Sequence, residues 1–154
     1  MVAVPRPVDI LLVEDDAGDV WLTRDTFEYF KIGNSLHVVS DGIAALRFVR
    51  RQPPYEDAPR PGLILLDLDL PRLDGREVLA ELTADPALRD IPVVILTTSD
   101  AESDILRTFD LGAGAYVTKP VDFDRLVELV RDLDGFYLTV VRAHRPPATA
   151  TRTR

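Results

Sequence analysis

The chain contains no cysteine, so neither a disulfide framework nor a thiolate metal site is open to it. No apolar run approaches the roughly 20 residues that a membrane-spanning helix needs. Residues 1–7 lack the apolar stretch of a secretory signal. These absences fit a cytoplasmic protein with no membrane segment. Positive charge is also scarce: 18 Lys and Arg stand against 26 Asp and Glu, for a net charge of −8. Nonspecific nucleic-acid binding relies on Lys and Arg to neutralise phosphates, so this balance argues against it. Over 154 residues, a content of 46% hydrophobic and 29% charged suits one globular domain with a proper core.

Apolar runs alternate with segments of helical period, the pattern of βα units on a parallel sheet. Strands are expected over 8–13, 36–40, 62–67, 91–97 and 114–118. Helices are expected over 18–30, 41–51, 75–84, 101–111 and 122–142. Several of the strands are continuous Val/Ile/Leu runs, as expected when both faces of a sheet are covered. Asp41 and Asp122 suit helix N-caps and Gly112 a C-terminal stop. Pro53, Pro54 and Pro61 mark a surface connection too rigid for a helix. There is no internal repeat and no linker long enough to separate a pair of domains. The expected organisation is an extension at 1–7, one domain at 8–142 and a basic tail at 143–154. Arg142, Arg145, Arg152 and Arg154 lie among Pro, Ala and Thr, with too little apolar surface to offset ordering entropy. The tail therefore reads as a disordered end, with weak electrostatic docking as the alternative.

Chemistry gathers where the apolar runs stop. Asp67 closes Leu63-Ile64-Leu65-Leu66, and Glu14-Asp15-Asp16 follows Ile10-Leu11-Leu12-Val13. Thr97 follows Val93-Val94-Ile95-Leu96, and Lys119 comes soon after Ala115-Tyr116-Val117. A parallel sheet brings such strand ends to one edge, where open α/β sheets hold their ligands. Glu14, Asp15, Asp16, Asp67 and Asp69 would then crowd together, and two like charges ~4 Å apart repel by up to about 4 kcal/mol at an effective dielectric near 20. A divalent cation relieves that repulsion, and a hard oxygen site suits Mg²⁺. A carboxylate such as Asp67 can also act as a nucleophile toward phosphorus. Lys119 and the metal could neutralise phosphoryl oxygens, and Thr97 could donate a hydrogen bond to one of them, which is most of what phosphoryl transfer requires. Taken singly, these residues are more often caps, turn residues or solvated helix starts. Their joint occurrence at successive strand ends favours the functional reading.

These motifs resemble the receiver domain of two-component response regulators from about Val8 to Val141. The matching signatures are Leu12-Val13-Glu14-Asp15-Asp16, Leu65-Leu66-Asp67-Leu68-Asp69-Leu70-Pro71, Asp74-Gly75, Leu96-Thr97-Thr98-Ser99 and Tyr116-Val117-Thr118-Lys119-Pro120. Thr97 lies 30 residues after Asp67 and Lys119 22 after Thr97, as the family pattern expects. The resemblance implies an α/β fold, a single doubly wound five-stranded parallel sheet of order 2-1-3-4-5. It implies Asp67 as phosphoacceptor, Asp15 as direct Mg²⁺ ligand, Glu14 acting mostly through water, and a backbone carbonyl ligand at Asp69. Asp16 has no fixed role. Lys119 would pair with the phosphoryl group, with a cis bond to Pro120. Relatives often carry Asn or Met at the position of Asp69, so its carboxylate is a departure that could tune the lifetime of the phosphorylated state.

The resemblance also assigns Thr97 and Tyr116 to a switch. Phosphate on Asp67 would draw Thr97 inward, and the Tyr116 ring would fill the vacated space, although Tyr116 also reads as an ordinary strand-edge aromatic. Such coupling biases two pre-existing arrangements. The output surface would be the fourth helix, the fifth strand and the fifth helix. Leu126, Leu129, Val130, Leu133, Phe136, Tyr137, Val140 and Val141 form a core-facing stripe, with Phe123, Val127 and Leu138 surplus to it. A helix of about 20 residues spans ~30 Å against ~17 Å for a five-residue strand. The overhang suggests a homodimer surface, unless Gly135 folds the end back. Phe136-Tyr137-Leu138-Thr139-Val140-Val141, Gly75-Arg76-Glu77-Val78-Leu79 and Pro53-Pro54-Tyr55 look most like the single-domain regulators paired with phytochrome photoreceptor kinases.

Two further readings compete. Asp67-Leu68-Asp69 is similar to the triplet of haloacid-dehalogenase-like phosphatases, but there the triplet comes at the first strand, whereas here an acidic pair precedes it. A receiver that no longer switches is the other, although all the site residues are present. Nothing resembles an ATP-binding loop, and His37 and His144, the two histidines, fit a strand and the tail. The phosphoryl donor is therefore expected to be a sensor histidine kinase, with one of phytochrome type as the candidate. The chain itself is expected not to be an enzyme beyond its own phosphorylation and dephosphorylation. No DNA-binding domain is expected after the receiver, so its output is expected to be protein contact.

Overall fold

Continuous aliphatic runs become strands wherever both of their faces can be covered. The computed structural model describes residues 9–29, 35–97 and 115–118. In chain order these hold β1 (Ile10–Val13), α1 (Ala17–Tyr29), β2 (Leu36–Val39), α2 (Gly42–Arg50), β3 (Leu63–Asp67), α3 (Gly75–Ala84), β4 (Val93–Thr97) and β5 (Ala115–Thr118). All neighbouring strands pair in parallel, in one five-stranded sheet of order β2-β1-β3-β4-β5. This is the expected α/β architecture. The helices expected over 101–111 and 122–142, with Asp122 and Gly112, lie outside the described residues.

The core shows why the central strands read as unbroken apolar runs. Leu11 and Val13 of β1, Ile64 and Leu66 of β3, and Val93 and Ile95 of β4 pack in one cluster with Ala45, Leu46 and Phe48 of α2 and Val78, Leu79 and Leu82 of α3. The alternate residues Ile10, Leu12, Leu63, Leu65, Val94 and Leu96 point the other way along the same strands and are equally buried. Both faces of these three central strands are thus covered. Burying each such side chain contributes about 1.5–3 kcal/mol relative to exposure.

Local chemistry sets the element ends. Asp41 caps α2, its side chain accepting from the Ala44 amide at 2.7 Å, so the helix proper begins at Gly42. Pro92 has no amide to donate, and the β4 ladder starts at Val93 rather than at 91. The Pro-rich connection is largely exposed, but Tyr55 tucks its ring against Phe48, with centroids 5.5 Å apart. Phe48 in turn meets His37, whose Nε2 lies 3.0 Å from Asp9 Oδ1. His37 therefore has the structural place expected of it, joining β2 to the residue before β1. Among the described residues, no helix is long and apolar enough to cross a membrane.

Candidate functional site

Sheet register brings the acids together. Val13 pairs with Leu66, which puts the next residues, Glu14 and Asp67, at the same level on adjacent strands. The Glu14 amide extends the β1–β2 ladder by donating to the Val39 carbonyl at 3.0 Å. Carboxylate oxygens of Glu14, Asp15 and Asp67 all lie within 4.8 Å of one another. Glu14 is 2% exposed and Asp67 4%, while Asp15 faces solvent. At that spacing a pair of buried carboxylates repels by about 3–4 kcal/mol at an effective dielectric near 20. Three hard oxygen donors, two of them withdrawn from water, fit a small divalent cation.

The remaining acids have other work. Asp16 does not join the cluster. Its Oδ1 accepts from the Asp19 amide at 3.0 Å and its carbonyl from the Val20 amide at 3.0 Å, which makes it the cap of α1. The Asp16 amide donates to Glu14 Oε2 at 3.2 Å, tying the helix start to the buried acid. Asp69 exposes its carboxylate, while its amide donates to Asp67 Oδ1 at 3.2 Å and orients that carboxylate.

Between β3 and α3 the chain takes tight turns. The Leu70 amide donates to the Leu68 carbonyl at 3.1 Å, and the Leu73 amide to the Pro71 carbonyl at 2.7 Å. The second turn centres on Arg72 at φ 69°, a left-handed conformation that a side-chain-bearing residue seldom adopts. Asp74 then caps α3, accepting from the Arg76 amide at 3.0 Å. Gly75 follows because α3 begins against the strand end itself. A Cβ there would overlap the Asp67 carbonyl oxygen and lie 2.7 Å from Leu68 Cα. That close approach is the physical reason for the Asp74-Gly75 pair, which the sequence displays without explaining.

On the far side of β3, Asp67 pairs with Leu96, so Thr97 stands one residue further along β4. Tyr116 lies beside Ile95, and Thr118 beside Thr97. Register thus sets the Thr97 backbone on β4, the strand next to Asp67, and the Tyr116 backbone one strand further out on β5. Lys119 and Pro120 lie outside the described residues. Sequence reasoning missed Gly42 and Arg72, which shape the loop after Asp67. The glycine directly after the Asp41 cap was the signal available for the first, and an arginine gave none for the second.

A parallel sheet in this order, with an acidic cluster at the carboxyl ends of β1 and β3, defines the receiver class. Residues 10–131 match the response regulator receiver domain, and the chain belongs to that family. It is similar to the response regulator Rcp1 of Synechocystis sp., with 44% identity over 135 residues, covering 88% of this chain and 92% of Rcp1. The crystal structure of the Mn²⁺-bound form of Rcp1 superposes with a TM-score of 0.72 at 42% identity, over 86% of this chain and 99% of that one. The phosphorylated cyanobacterial phytochrome response regulator RcpA gives a TM-score of 0.73 at 39% identity, over 87% and 99% of the two chains. The bacteriophytochrome response regulator RtBRR gives 0.78 at 40% identity, over 96% and 88%. The chain thus resembles the phytochrome-associated response regulators in both sequence and fold.

Proposed function

We propose that this receiver accepts a phosphoryl group on Asp67 from a sensor histidine kinase, of the phytochrome type, and relays the signal by protein contact. The observation that carries the reading is the meeting of Glu14, Asp15 and Asp67 oxygens within 4.8 Å at the level where β1 and β3 end. An Asp67 carboxylate oxygen forms the new O–P bond as the donor's P–N bond breaks, and the imidazole leaves with the bonding pair. The Asp69 amide on Oδ1 holds the carboxylate in one orientation for that attack. Asp15, Asp67 and the Asp69 carbonyl would hold Mg²⁺ directly, and Glu14 would act mostly through water. When bound, the cation supplies charge neutralisation for the phosphoryl oxygens. Lys119 and Thr97 engage the remaining oxygens. The exposed Asp69 carboxylate stands two residues from the acyl phosphate and sets its lifetime against water. Rcp1 crystallised with Mn²⁺ and the phosphorylated RcpA are relatives in keeping with this chemistry.

Signalling then follows from a shift of Thr97 toward the new phosphate and of Tyr116 behind it. It is read out on a surface built from 101–111, β5 and 122–142, which serves a homodimer. The receiver spans 8–142, flanked by the extension 1–7 and the basic tail 143–154, and works in the cytoplasm without catalysing anything beyond its own phosphorylation and dephosphorylation. The test is incubation with a phytochrome-type histidine kinase, Mg²⁺ and labelled ATP. Base-labile label should appear on this chain only when both the kinase and Asp67 are present. A wild-type chain left unlabelled by a kinase that labels Rcp1 removes the proposal.

A further inference from the structure

The loop from Asp67 to Asp74 is held from a side that does not belong to the acid cluster. Its turn at Arg72, with φ 69° and the Leu73 amide bonded back to Pro71, is the rare γ-turn with a positive central φ. A residue stays in such a conformation only when its surroundings over-determine it. The surroundings here are the β2–α2 turn. Gly42, buried at the first position of α2, lets the helix start press on Leu73: a Cβ there would overlap the Leu73 carbonyl oxygen and lie 2.8 Å from both Leu73 Cβ and Val78 Cγ2. Asp41 uses one oxygen to cap α2 through Ala44 and turns the other toward Arg72, with Oδ2 3.9 Å from the guanidinium. At the loop's other end, the Gly75 amide donates to the Leu68 carbonyl at 2.9 Å and the Asp69 amide to Asp67 Oδ1.

We propose that Gly42 and Asp41 are positioning residues for the cation site, which hold the strained turn at Arg72 and so fix the loop backbone at Asp69. This rests on the reading of Asp15, Asp67 and the Asp69 carbonyl as the cation's ligands. Mg²⁺ demands near-ideal octahedral geometry, whereas Ca²⁺ accepts an irregular one. A loop held from behind therefore favours Mg²⁺, and a slackened loop loses that preference before it loses the fold.

The experiment measures Mg²⁺ and Ca²⁺ affinity by calorimetry, and the metal-free unfolding midpoint, for wild type, Arg72→Gly, Asp41→Asn and Gly42→Ala. Glycine adopts φ 69° without penalty, and asparagine still caps a helix. Arg72→Gly should keep or raise the metal-free midpoint while weakening Mg²⁺ by about tenfold, as loss of an outer-shell partner does, and should narrow the Mg²⁺-over-Ca²⁺ preference. Asp41→Asn should shift both in the same direction by less. Gly42→Ala should shift them most; if it does not fold, the other two variants decide. Wild-type Mg²⁺ affinity and ion preference in both Arg72→Gly and Asp41→Asn would overturn the proposal. So would a loss of affinity that merely tracks a lowered midpoint. A wild-type chain that takes up no Mg²⁺ removes the ligand assignment and the positioning role together, whereas unshifted variants remove the positioning role alone.

Discussion

The β1–α1 and β3–α3 junctions end at the same level of the sheet and solve opposite problems. After β1 the chain reaches α1 within three residues, and Asp16 caps the helix at once. That short junction delivers side-chain oxygens: Glu14 inward, Asp15 outward. After β3 the chain takes seven residues to reach α3, through two tight turns and the left-handed Arg72. The longer junction delivers one side chain, Asp67, and a shaped stretch of backbone beside it. Carboxylates can be supplied by a strand that simply stops, but a backbone group must be held in place by the turn around it.

Four sets of substitutions would break or sharpen that contrast. The largest effect belongs to Asp67→Asn, which should abolish kinase-dependent labelling outright, read by phosphorylation gels; any residual stoichiometric label would place the acceptor elsewhere. Next is Asp15→Asn on the short junction. It should cut Mg²⁺ affinity by more than the roughly 10–100-fold typical of an outer-shell loss, measured by titration calorimetry. The two caps come third. Asp16→Ala and Asp74→Ala should each lower stability by about 1 kcal/mol in urea unfolding. Asp16→Ala should leave Mg²⁺ affinity within about twofold of wild type, since its carboxylate serves α1 and not the cluster; a larger loss would make Asp16 a ligand after all. The smallest is Asp69→Asn. The amide bond to Asp67 survives, so stability should stay within about 0.5 kcal/mol, while the autodephosphorylation rate shifts. An unchanged rate would deny the Asp69 carboxylate any role in the lifetime of the phosphate.

Much of this molecule is legible in its sequence. Aliphatic runs such as Leu63-Ile64-Leu65-Leu66 mark strands because a sheet covered on both faces needs apolar residues at every position, and the acids after them mark the edge. Asp41 is readable as a cap because an extended Asp before a helix start has few other uses. Asp16 is harder, since a cap and a metal ligand look alike until the register places Glu14 beside Asp67 and leaves Asp16 over the helix. The outward face of α1 is not legible at all: Trp21 and Leu22 are exposed while Thr23 is buried, against simple hydrophobic ordering. Arg72 is invisible for a different reason. The turn at Arg72 sits where distant segments of the chain meet, with Gly42 against Leu73, and the residue itself carries no preference for its positive φ.

The exposure of Trp21 has a practical side. It is the single tryptophan of the chain, 63% exposed on a helix whose first turn is tied through Asp16 to Glu14. An indole in that position emits as a water-bathed fluorophore and is open to collisional quenchers such as iodide. Its spectrum therefore comes from one known place on the surface, so the chain carries its own optical probe and needs no attached dye.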